Sequence, residues 1–365
     1  MKNIAVFFGG KSIEHDISCI TGALTLNALK KGEHIPVPIF IDYDNSWWTG
    51  EDFFDIETHK KPNYKKLKRV CLVAGSPTLF WVKGKKLKPL CDIAVGINAL
   101  HGEFGEDGAL SGLLALCEIA LVGSPMLGSS IAINKSVSKT ILQGLNVNCL
   151  PCKTVSNAFT LDSVVNELGF PLIVKPQKGG SSIGIEKAND INELTRAVNT
   201  ALRYGEKAVI EPLIENFIEI NIGVYKNCKN EIVLSECERP IGKTEVLSFE
   251  DKYSGGIKEF PAKIPKKISN EIKRTAKLIY ESLELEGVCR MDFMVKLDKV
   301  YLNEINTVPG SLAYYLFTNT TKGFSLVLAD LIARAEKKFA ESSSLQRRFN
   351  SSVLDIKGVK GAKRL

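Results

Sequence analysis

The sequence predicts an α/β protein whose first part contains a mostly parallel sheet and whose C-terminal part is α+β. Strand-like apolar runs alternate with helical repeats over the first third of the chain. Near residues 217–240 and 288–306, strand-like runs instead follow one another directly. No run approaches the roughly 18 apolar residues of a membrane span. At 365 residues, two or three domains are expected.

The first third of the chain is predicted to alternate strands and helices. "IAVFF" is a buried strand, and apolar residues then recur at helical spacing from Ile17 to Ala28, with a stop at Gly32. Further elements are the strands "PVPIFI", "DIAVGINAL" and "ALVGS", the hairpin "LFWVKGKKLKPL" and the helix "GALSGLLALCEI". Ligands of such a sheet bind at the carboxyl ends of its strands.

A second unit is predicted to start near Gly123, and a third follows it. The second contains the helix "IAINKSVSKTILQGL", the strand "FPLIVKP", a Gly/Ser loop and the helix "DINELTRAVNTALRYG". "KAVIEPLI" is a strand that crosses into the third unit. There we expect paired antiparallel strands at "FIEINIGVYKN" and "EIVLSECERP", a helix from Ile268 to Leu283, and the strands "VCRMDFMVK" and "KVYLNEIN".

Composition and charge exclude several classes of protein. The chain is 44% hydrophobic and 24% charged, as in soluble globular proteins. Its net charge is 48 − 41 = +7, and residues 331–365 alone contribute 9 − 3 = +6. This excess lies in the last helix and the tail, without the aromatic residues of a nucleic-acid surface. We therefore expect no nucleic-acid or membrane partner, a cytoplasmic location and reduced cysteines.

A phosphate site is predicted at "VKPQKGGSSIG", residues 174–184. Lys175 closes a strand there, and a loop of small residues can turn several backbone N–H groups toward an anion. Lys135, at the start of a helical stretch, is a second candidate cation. A Gly/Ser turn after a strand is also common without any ligand, and this alternative stays open.

A metal site is predicted where "RMDFMV" and "LNEIN" run side by side. Glu304 and Asn306 are two residues apart, so on a strand they face the same way. If the two strands pair, Asp292 joins them, and this all-oxygen set suits Mg²⁺. The alternative is that Asp292 and Glu304 cap a sheet edge or pair with Arg290. Carboxylates within such apolar strands favour the metal.

Three further polar segments are candidates for a functional site: "GGKSIEHDIS", "NALHGEFGEDGALSG" and "IGKTEVLSFEDKYSGG". In the first, Glu14 and Asp16 suit the first turn of a helix electrostatically, which by itself is a sufficient structural explanation. In the second, His101 directly precedes Gly102 in a glycine-containing segment at a strand's carboxyl end. The third is long enough for a lid over a site.

Together and in this order, these segments resemble the D-alanine–D-alanine ligases of the ATP-grasp superfamily. The resemblance rests on seven segments within residues 4–310: "GGKSIEHDIS", "LHGEFGEDGALSG", "VGSPMLGSSIAINKSVSK", "VKPQKGGSSIGI", "FEDKY", "RMDFMV" and "LNEINTVPG". It implies an ATP-grasp fold with an N-terminal Rossmann-like domain (1–123), a central subdomain (124–210) and a C-terminal subdomain (211–340). The last contains a lid loop (240–258) and is followed by a basic tail (341–365).

The resemblance also implies which residues bind ATP, the metal and the first substrate. The nucleotide would be bound by Lys135, Lys175, Ser182, Glu211, Leu213, Ile214, Glu219 and Lys252. Glu219 lies eight residues after Glu211 instead of the family's seven, so Glu215 is a second candidate for the ribose. Asp292, Glu304 and Asn306 would hold two Mg²⁺ ions, with Mn²⁺ as an alternative. Glu14, Ser181, Tyr253 and Arg290 would be catalytic, and His101 would lie near the first D-alanine. A homodimer is expected.

The sequence departs from the family after "NTVPG". A small hydroxyl residue usually lies five positions after the glycine and contacts the second substrate's carboxylate. Five after Gly310 is Tyr315, and the hydroxyl of Ser311 comes four residues earlier. Three hypotheses therefore remain: a D-alanine–D-alanine ligase, a related ligase with another amino acid or a D-hydroxy acid as second substrate, and a non-catalytic nucleotide-binding protein.

Overall fold

The structure is a computed structural model that describes residues 1–158, 161–241 and 257–351. Its strands form sheets of eight, four, four and two strands. The helices are α1 (His15–Leu29), α2 (Ile56–Lys60), α3 (Ala109–Leu116), α4 (Met126–Ile133), α5 (Lys135–Gly144), α6 (Asp162–Leu168), α7 (Ile191–Ala201), α8 (Lys266–Ser282) and α9 (Thr321–Ser343), with 3-10 helices at Glu51–Phe54 and Gly310–Leu316. None of the helices in the described ranges is long and apolar enough to cross a membrane.

The N-terminal sheet is mixed, so the prediction of a mostly parallel sheet is only half right. Its strands are β1 (Asn3–Gly9), β2 (Ile35–Ile41), β3 (Trp47–Thr49), β4 (Lys68–Val73), β5 (Ser76–Lys83), β6 (Lys86–Asp92), β7 (Val95–Asn98) and β8 (Ala120–Val122). They are ordered β6-β5-β4-β3-β2-β1-β7-β8, and only β2, β1, β7 and β8 are parallel. Successive strands from β2 to β6 pair antiparallel, and three of their four connections are two to five residues long. The fourth, residues 50–67 between β3 and β4, contains only α2 and a 3-10 helix.

The central sheet is antiparallel and covered by α7. It contains β9 (Lys153–Val155), β10 (Leu172–Pro176), β11 (Glu186–Ala188) and β12 (Ala208–Pro212), in the order β11-β10-β12-β9. β12 was expected to cross into the third unit, but it pairs only inside this sheet and ends at Pro212. The chain therefore passes from the central sheet to the C-terminal sheet over residues 213–217, shortly after the buried Glu211.

The C-terminal sheet places the predicted metal strands side by side. β13 (Ile218–Lys226), β14 (Ile232–Leu234), β17 (Cys289–Lys296) and β18 (Lys299–Asn306) are ordered β14-β13-β17-β18. The antiparallel pairing predicted for "EIVLSECERP" is confirmed where β14 pairs with β13, but the stretch is not one continuous strand, and its end belongs to β15 (Arg239–Ile241). β15 instead pairs with β16 (Ile257–Glu259).

The helix predicted over "IAINKSVSKTILQGL" is also divided. Asn134 is extended (φ −89°, ψ 96°), and its side chain accepts a hydrogen bond from the Val137 N–H at 3.2 Å. An asparagine in this conformation is a favoured N-cap. It ends α4 and starts α5, so Lys135 lies at the first position of a helix, directly beside the Gly/Ser loop.

The first and last parts of the chain share one hydrophobic core. Side chains of β1, α1 and β7 pack with Phe324, Leu328 and Leu331 of α9. Leu312 and Leu316 of the second 3-10 helix belong to the same core. The segment after Gly310 is therefore anchored against the N-terminal sheet.

Candidate active site

Two adjoining cavities meet where the three larger sheets converge. Gly179, Gly180 and Glu304 line both cavities. The first, called here the nucleotide cavity, is further lined by Lys135, Lys175, Ser182, Glu211, Leu213, Ile214 and Glu219. The second, called here the acyl cavity, is further lined by Glu14, His101, Glu106, Ser181, Arg290, Asn306 and Gly310.

Sequence-predicted residues thus gather in both cavities. Between the two ribose candidates, only Glu219 lines the nucleotide cavity, whereas Glu215 is exposed outside it. Lys252 and Tyr253 lie outside the described residues, as does most of the predicted lid loop. Tyr315 and Ser311 are adjacent to the acyl cavity rather than in its lining.

A buried ion cluster supports the nucleotide cavity. Glu211, 1% exposed, pairs with Lys175 at 3.0 Å and also with Lys139. Burial alone would raise the pKa of Glu211, but the two lysines lower it to about 2. Lys175 also donates to Asn303 at 3.2 Å, which orients its ammonium. Lys139 was not predicted, since a lysine within a helix gives no sequence signal of a distant partner.

The Gly/Ser loop has the backbone conformation of an anion site. Gly179, Ser181 and Ser182 have φ of +98°, +55° and +59°. Residues in this left-handed region can turn consecutive N–H groups toward one side. Lys135 donates to the Gly179 carbonyl and lies 3.5 Å from Glu304. Cations and backbone donors therefore surround the junction of the two cavities.

The predicted metal residues are neighbours across two paired strands. Asp292 lies directly opposite Glu304, and Arg290 lies opposite Asn306. Asp292 accepts two hydrogen bonds from Arg290, at 2.7 and 2.8 Å, and one from Asn306 at 3.0 Å. Burial alone would lower the pKa of Arg290, but Asp292 and Tyr315 raise it well above its ordinary value. The guanidinium is therefore a fixed positive charge.

These residues fit a hard metal ion that is shared with phosphates. The donors are carboxylate and amide oxygens, and Asp292 Oδ1 keeps a lone pair beyond its bond to Arg290, whereas Oδ2 also accepts from Asn306. Within residues 1–158, 161–241 and 257–351, no group of three or more His, Cys, Asp or Glu side chains is placed to hold a metal. Two carboxylates and one amide are instead the set of a Mg²⁺ site completed by a nucleotide.

Glu14 and Ser181 meet at the wall of the acyl cavity. The Ser181 hydroxyl donates to Glu14, joining residues from the first and second sheets' loops. Gly102, at φ +71°, lies so close that a Cβ there would be 2.5 Å from the Ser12 hydroxyl and 3.1 Å from Glu14. A glycine is therefore required at residue 102 for its loop to lie this close to Ser12 and Glu14.

His101 is held as a neutral imidazole. Burial and the nearby Arg290 charge lower the pKa of His101 to about 3. The Thr21 hydroxyl lies 2.9 Å from its Nε2 and accepts the Ser311 N–H at 3.0 Å.

Glu106 is a buried carboxyl group that the sequence did not single out. It accepts the N–H groups of Gly102 at 3.1 Å and Val308 at 3.4 Å. Burial and the neighbouring Glu14 carboxylate raise the pKa of Glu106 to about 8. Its position in "HGEFGEDG" was a weak signal, because an acidic residue in a loop is usually solvated. Its partner Val308 is distant in sequence.

The segment after Gly310 has an unusual backbone. Ser311, Leu312 and Ala313 have φ of 55°, 49° and 45°, a left-handed turn that is unfavourable for residues with a Cβ. Burial of Leu312 and Ala313 and the Ser311–Thr21 hydrogen bond hold it in place. The turn brings the Tyr315 side chain beside Arg290, where it contributes to the raised pKa of the guanidinium.

Comparisons with known proteins match most of the chain to D-alanine–D-alanine ligases. The model of the D-ala D-ala ligase N-terminus matches residues 3–124, and that of the D-ala D-ala ligase C-terminus matches residues 147–335. A D-alanine--D-alanine ligase of Thermosipho melanesiensis is 33% identical, covering 98% of this chain and 99% of the relative. One from Caldicellulosiruptor bescii is 33% identical, covering 94% and 97%.

Solved structures agree with the fold. The crystal structure of D-Alanine-D-Alanine Ligase from Helicobacter pylori is 29% identical, with a TM-score of 0.76 over 91% of this chain and 98% of that chain. The D-alanine-D-alanine ligase of Coxiella burnetii, at 24% identity, has a TM-score of 0.82 over 94% of this chain and 96% of that chain.

Proposed function

The chain belongs to the D-alanine–D-alanine ligase family, and from this premise we propose that it joins two D-alanine molecules at the expense of ATP for peptidoglycan precursor synthesis. The single observation that carries the proposal is the position of Glu304. It lines both the nucleotide cavity and the acyl cavity, directly opposite Asp292. A phosphate bound beside Glu304 would therefore lie next to an amino acid in the acyl cavity.

The reaction proceeds through an acyl phosphate. A carboxylate oxygen of the first D-alanine attacks the γ-phosphorus of ATP, and ADP leaves. The amine of the second D-alanine then attacks the acyl carbon, phosphate leaves with the C–O bond electrons, and the amine loses a proton. Both steps bring anions together, so the protein must supply positive charge. Lys135, Lys175 and Arg290 are the described residues assigned to that role.

We assign Mg²⁺ to Asp292, Glu304 and Asn306, with two ions expected and Mn²⁺ as an alternative. When bound, Mg²⁺ would neutralise the phosphate oxygens and leave the γ-phosphorus open to attack. Asp292, held by the fork of Arg290, keeps one side of the site fixed. Glu304 would exchange its contact with Lys135 for the metal, which frees that lysine for a phosphate.

The first D-alanine is assigned to Glu14, Ser181 and His101. Glu14 would accept its ammonium, and Ser181 would fix the position of Glu14. A neutral His101 adds no positive charge that would repel the ammonium. Arg290, at the other wall of the acyl cavity, would stabilise the oxyanion of the tetrahedral intermediate.

We propose the domain boundaries stated above: 1–123, 124–210 and 211–340. The three larger sheets lie within these ranges, except that β12 crosses the second boundary by two residues. Tyr253 keeps its predicted role as a hydrogen-bond partner of Glu14, and Lys252 keeps its predicted role as a phosphate ligand. We also propose a cytoplasmic location, because the reaction consumes ATP.

A homodimer is proposed on the basis of an exposed apolar patch. Leu116 at the end of α3 and Met126 and Leu127 at the start of α4 are between 57% and 65% exposed. Met126 packs beside Gly112, one helical turn before Leu116. A second copy covering this patch would remove adjacent apolar side chains from water. The molecular mass of the protein in solution, measured by light scattering, tests whether it is a dimer.

A second candidate function follows from Tyr315. A ring at the position of the family's small hydroxyl changes the pocket for the second substrate, so another amino acid or a D-hydroxy acid is the alternative product partner. The non-catalytic hypothesis is disfavoured, because Asp292, Glu304 and Asn306 are all in place.

Phosphate release from ATP in the presence of Mg²⁺ tests these alternatives. With D-alanine alone, we expect release and a dipeptide of two D-alanines identified by mass. A panel of D- and L-amino acids and D-lactate is then added to D-alanine. A mixed product formed in preference to the D-alanine dipeptide would support the second candidate. No turnover with any of them would contradict both.

A further inference from the structure

A row of polar side chains continues from the metal strands across the C-terminal sheet. Asn221 on β13 lies opposite Asp292, and Glu238 lies opposite Asn221. Directly opposed residues of antiparallel strands have their side chains on one face. Asn221 and Glu238 are only 5% and 4% exposed, and among the described residues no hydrogen-bond partner is found for Asn221 Oδ1. The face of the active site therefore extends two strands beyond Asp292.

Lys258 lies at the end of this row. Its Nζ is 3.2 Å from Glu238 Oε2 and 4.2 Å from the centre of the Tyr315 ring. An ammonium over a tyrosine face is attracted by the ring, and the buried carboxylate adds an ion pair. The side chain is still 49% exposed. Lys258 is thus oriented from two sides and open to solvent on a third.

Tyr315 joins Lys258 to the reaction centre. Its hydroxyl contacts Arg290, while its ring face contacts Lys258. The left-handed turn over Ser311 to Ala313 fixes where this ring lies, because the turn is anchored by core residues. Moving outward from Arg290, the next positive charge across the ring is Lys258.

The second amino acid needs such a charge. Its amine must face the acyl carbon near Arg290, so its carboxylate points away from that carbon. Arg290 already donates two hydrogen bonds to Asp292, and the Tyr315 side chain lies beside it. An ammonium has three donors, and Glu238 occupies only one on Lys258. A carboxylate arriving from solvent can therefore be bound by Lys258 without displacing Glu238.

We propose that Lys258, positioned by Glu238 and the ring of Tyr315, binds the carboxylate of the second amino acid. This inference rests on the proposed function and names the residue that replaces the family's small hydroxyl as the carboxylate partner. It makes the free carboxylate of the second substrate the group that is recognised, and it makes Glu238 a positioning residue.

The test compares Lys258→Met with Lys258→Arg and with Lys263→Met, an exposed lysine five residues away whose only described ion pair is with Glu259. Initial rates over a wide range of D-alanine concentrations give separate KM values for the first and second D-alanine. We expect Lys258→Met to raise the second KM about 10- to 100-fold, the loss of one charge-assisted hydrogen bond. The KM values of ATP and the first D-alanine should stay near those of the unaltered chain.

D-Alaninamide separates recognition from a structural effect. It lacks a carboxylate, so it reacts only as the second substrate, and its product differs in mass. The unaltered chain should prefer D-alanine over D-alaninamide, and Lys258→Met should lose most of that preference. Lys258→Arg should retain it, Glu238→Gln should weaken it less, and Lys263→Met should leave it unchanged. Equal thermal midpoints show that the variants are folded.

Two results overturn the inference. One is a Lys258→Met variant with the second KM and the amide discrimination of the unaltered chain. The other is an equal effect of Lys263→Met. Either result, with normal phosphate release by the unaltered chain, leaves the proposed function standing. No release by the unaltered chain with D-alanine would overturn the proposed function and this inference together.

Discussion

The nucleotide cavity and the acyl cavity balance their buried charges in opposite ways. In the nucleotide cavity, Glu211 is bracketed by Lys139 and Lys175, and its pKa is lowered to about 2 despite burial. In the acyl cavity, Glu106 lies near Glu14, and its pKa is raised to about 8 by burial and by that neighbour. The first arrangement favours an anionic ligand, and the carboxyl groups of the second favour a cationic one.

The two cavities differ in which buried groups determine the charge of the ligand that they favour. Cations of the nucleotide cavity are held by a carboxylate, so they are ordered before ATP arrives. Like-charged carboxyls of the acyl cavity disfavour full ionisation until a positive substrate enters. Glu304 lines both cavities, so its removal should disturb both of them.

The largest expected effect is that of Glu304→Ala. The change removes a metal ligand at the junction of the cavities, and we expect turnover to fall by at least about 10³-fold, the scale of losing a major electrostatic group. Phosphate release measures this loss, and thermal unfolding should show a folded protein. Glu281→Ala, at an exposed acidic residue of α8, is the control. Near-normal turnover of Glu304→Ala would refute the metal assignment.

The second prediction tests the charge balance of the nucleotide cavity. Glu211→Gln leaves two lysines without their buried carboxylate, which should lower the free energy of unfolding by about 3–5 kcal/mol. Guanidinium denaturation measures it. Removing one lysine as well, in Glu211→Gln with Lys139→Met, should recover part of the loss. An unchanged midpoint for the single variant would show that the cluster does not stabilise the fold.

The third prediction tests the acyl cavity through pH. Because the folded-state pKa of Glu106 is raised to about 8, its protonated form contributes stability below its ordinary value of 4.5, and this contribution is lost as pH rises through 8. Glu106→Gln has no such loss. Relative to the unaltered chain, its free energy of unfolding should therefore increase between pH 5 and pH 9, by about 2 kcal/mol.

Urea denaturation at both pH values, without substrates, measures this difference. An equal difference at pH 5 and pH 9 would show that Glu106 is ionised throughout. Glu103→Gln, at a solvated acidic residue of the same loop, is the control and should show no trend.

The smallest expected effect is that of Tyr315→Ser. The change restores a small hydroxyl at the family's position but removes the ring that contacts Lys258 and the hydroxyl that contacts Arg290. We expect the KM of the second substrate to change by about tenfold. The panel of second substrates should change order, while the KM of ATP is unaffected. An unaltered panel would show that Tyr315 does not shape this pocket.

Local pattern predicted the parts of the fold and site whose partners are close in sequence. The pairing of β17 with β18 follows from two alternating strands and a short turn, and it places Asp292 opposite Glu304. The Gly/Ser loop after β10 was predicted for the same reason. The predictions of secondary structure and strand direction were wrong where one local pattern is compatible with two structures. Asn134 divided a periodic helix by capping its second half, and β3 to β6 pair antiparallel without a long crossover helix between them.

The sequence alone indicated the family, because the seven segments that resemble D-alanine–D-alanine ligases are short and keep their side chains at fixed local spacing. The reaction class follows from that resemblance. Only the tertiary structure decided how buried charge is satisfied. The partners Lys139 and Glu211, Glu106 and Val308, and Lys258 and Tyr315 are separated by long stretches of chain. A buried charge must find a partner somewhere, but its own sequence neighbourhood does not specify which. The fold makes that choice, and with it the surroundings of the second substrate.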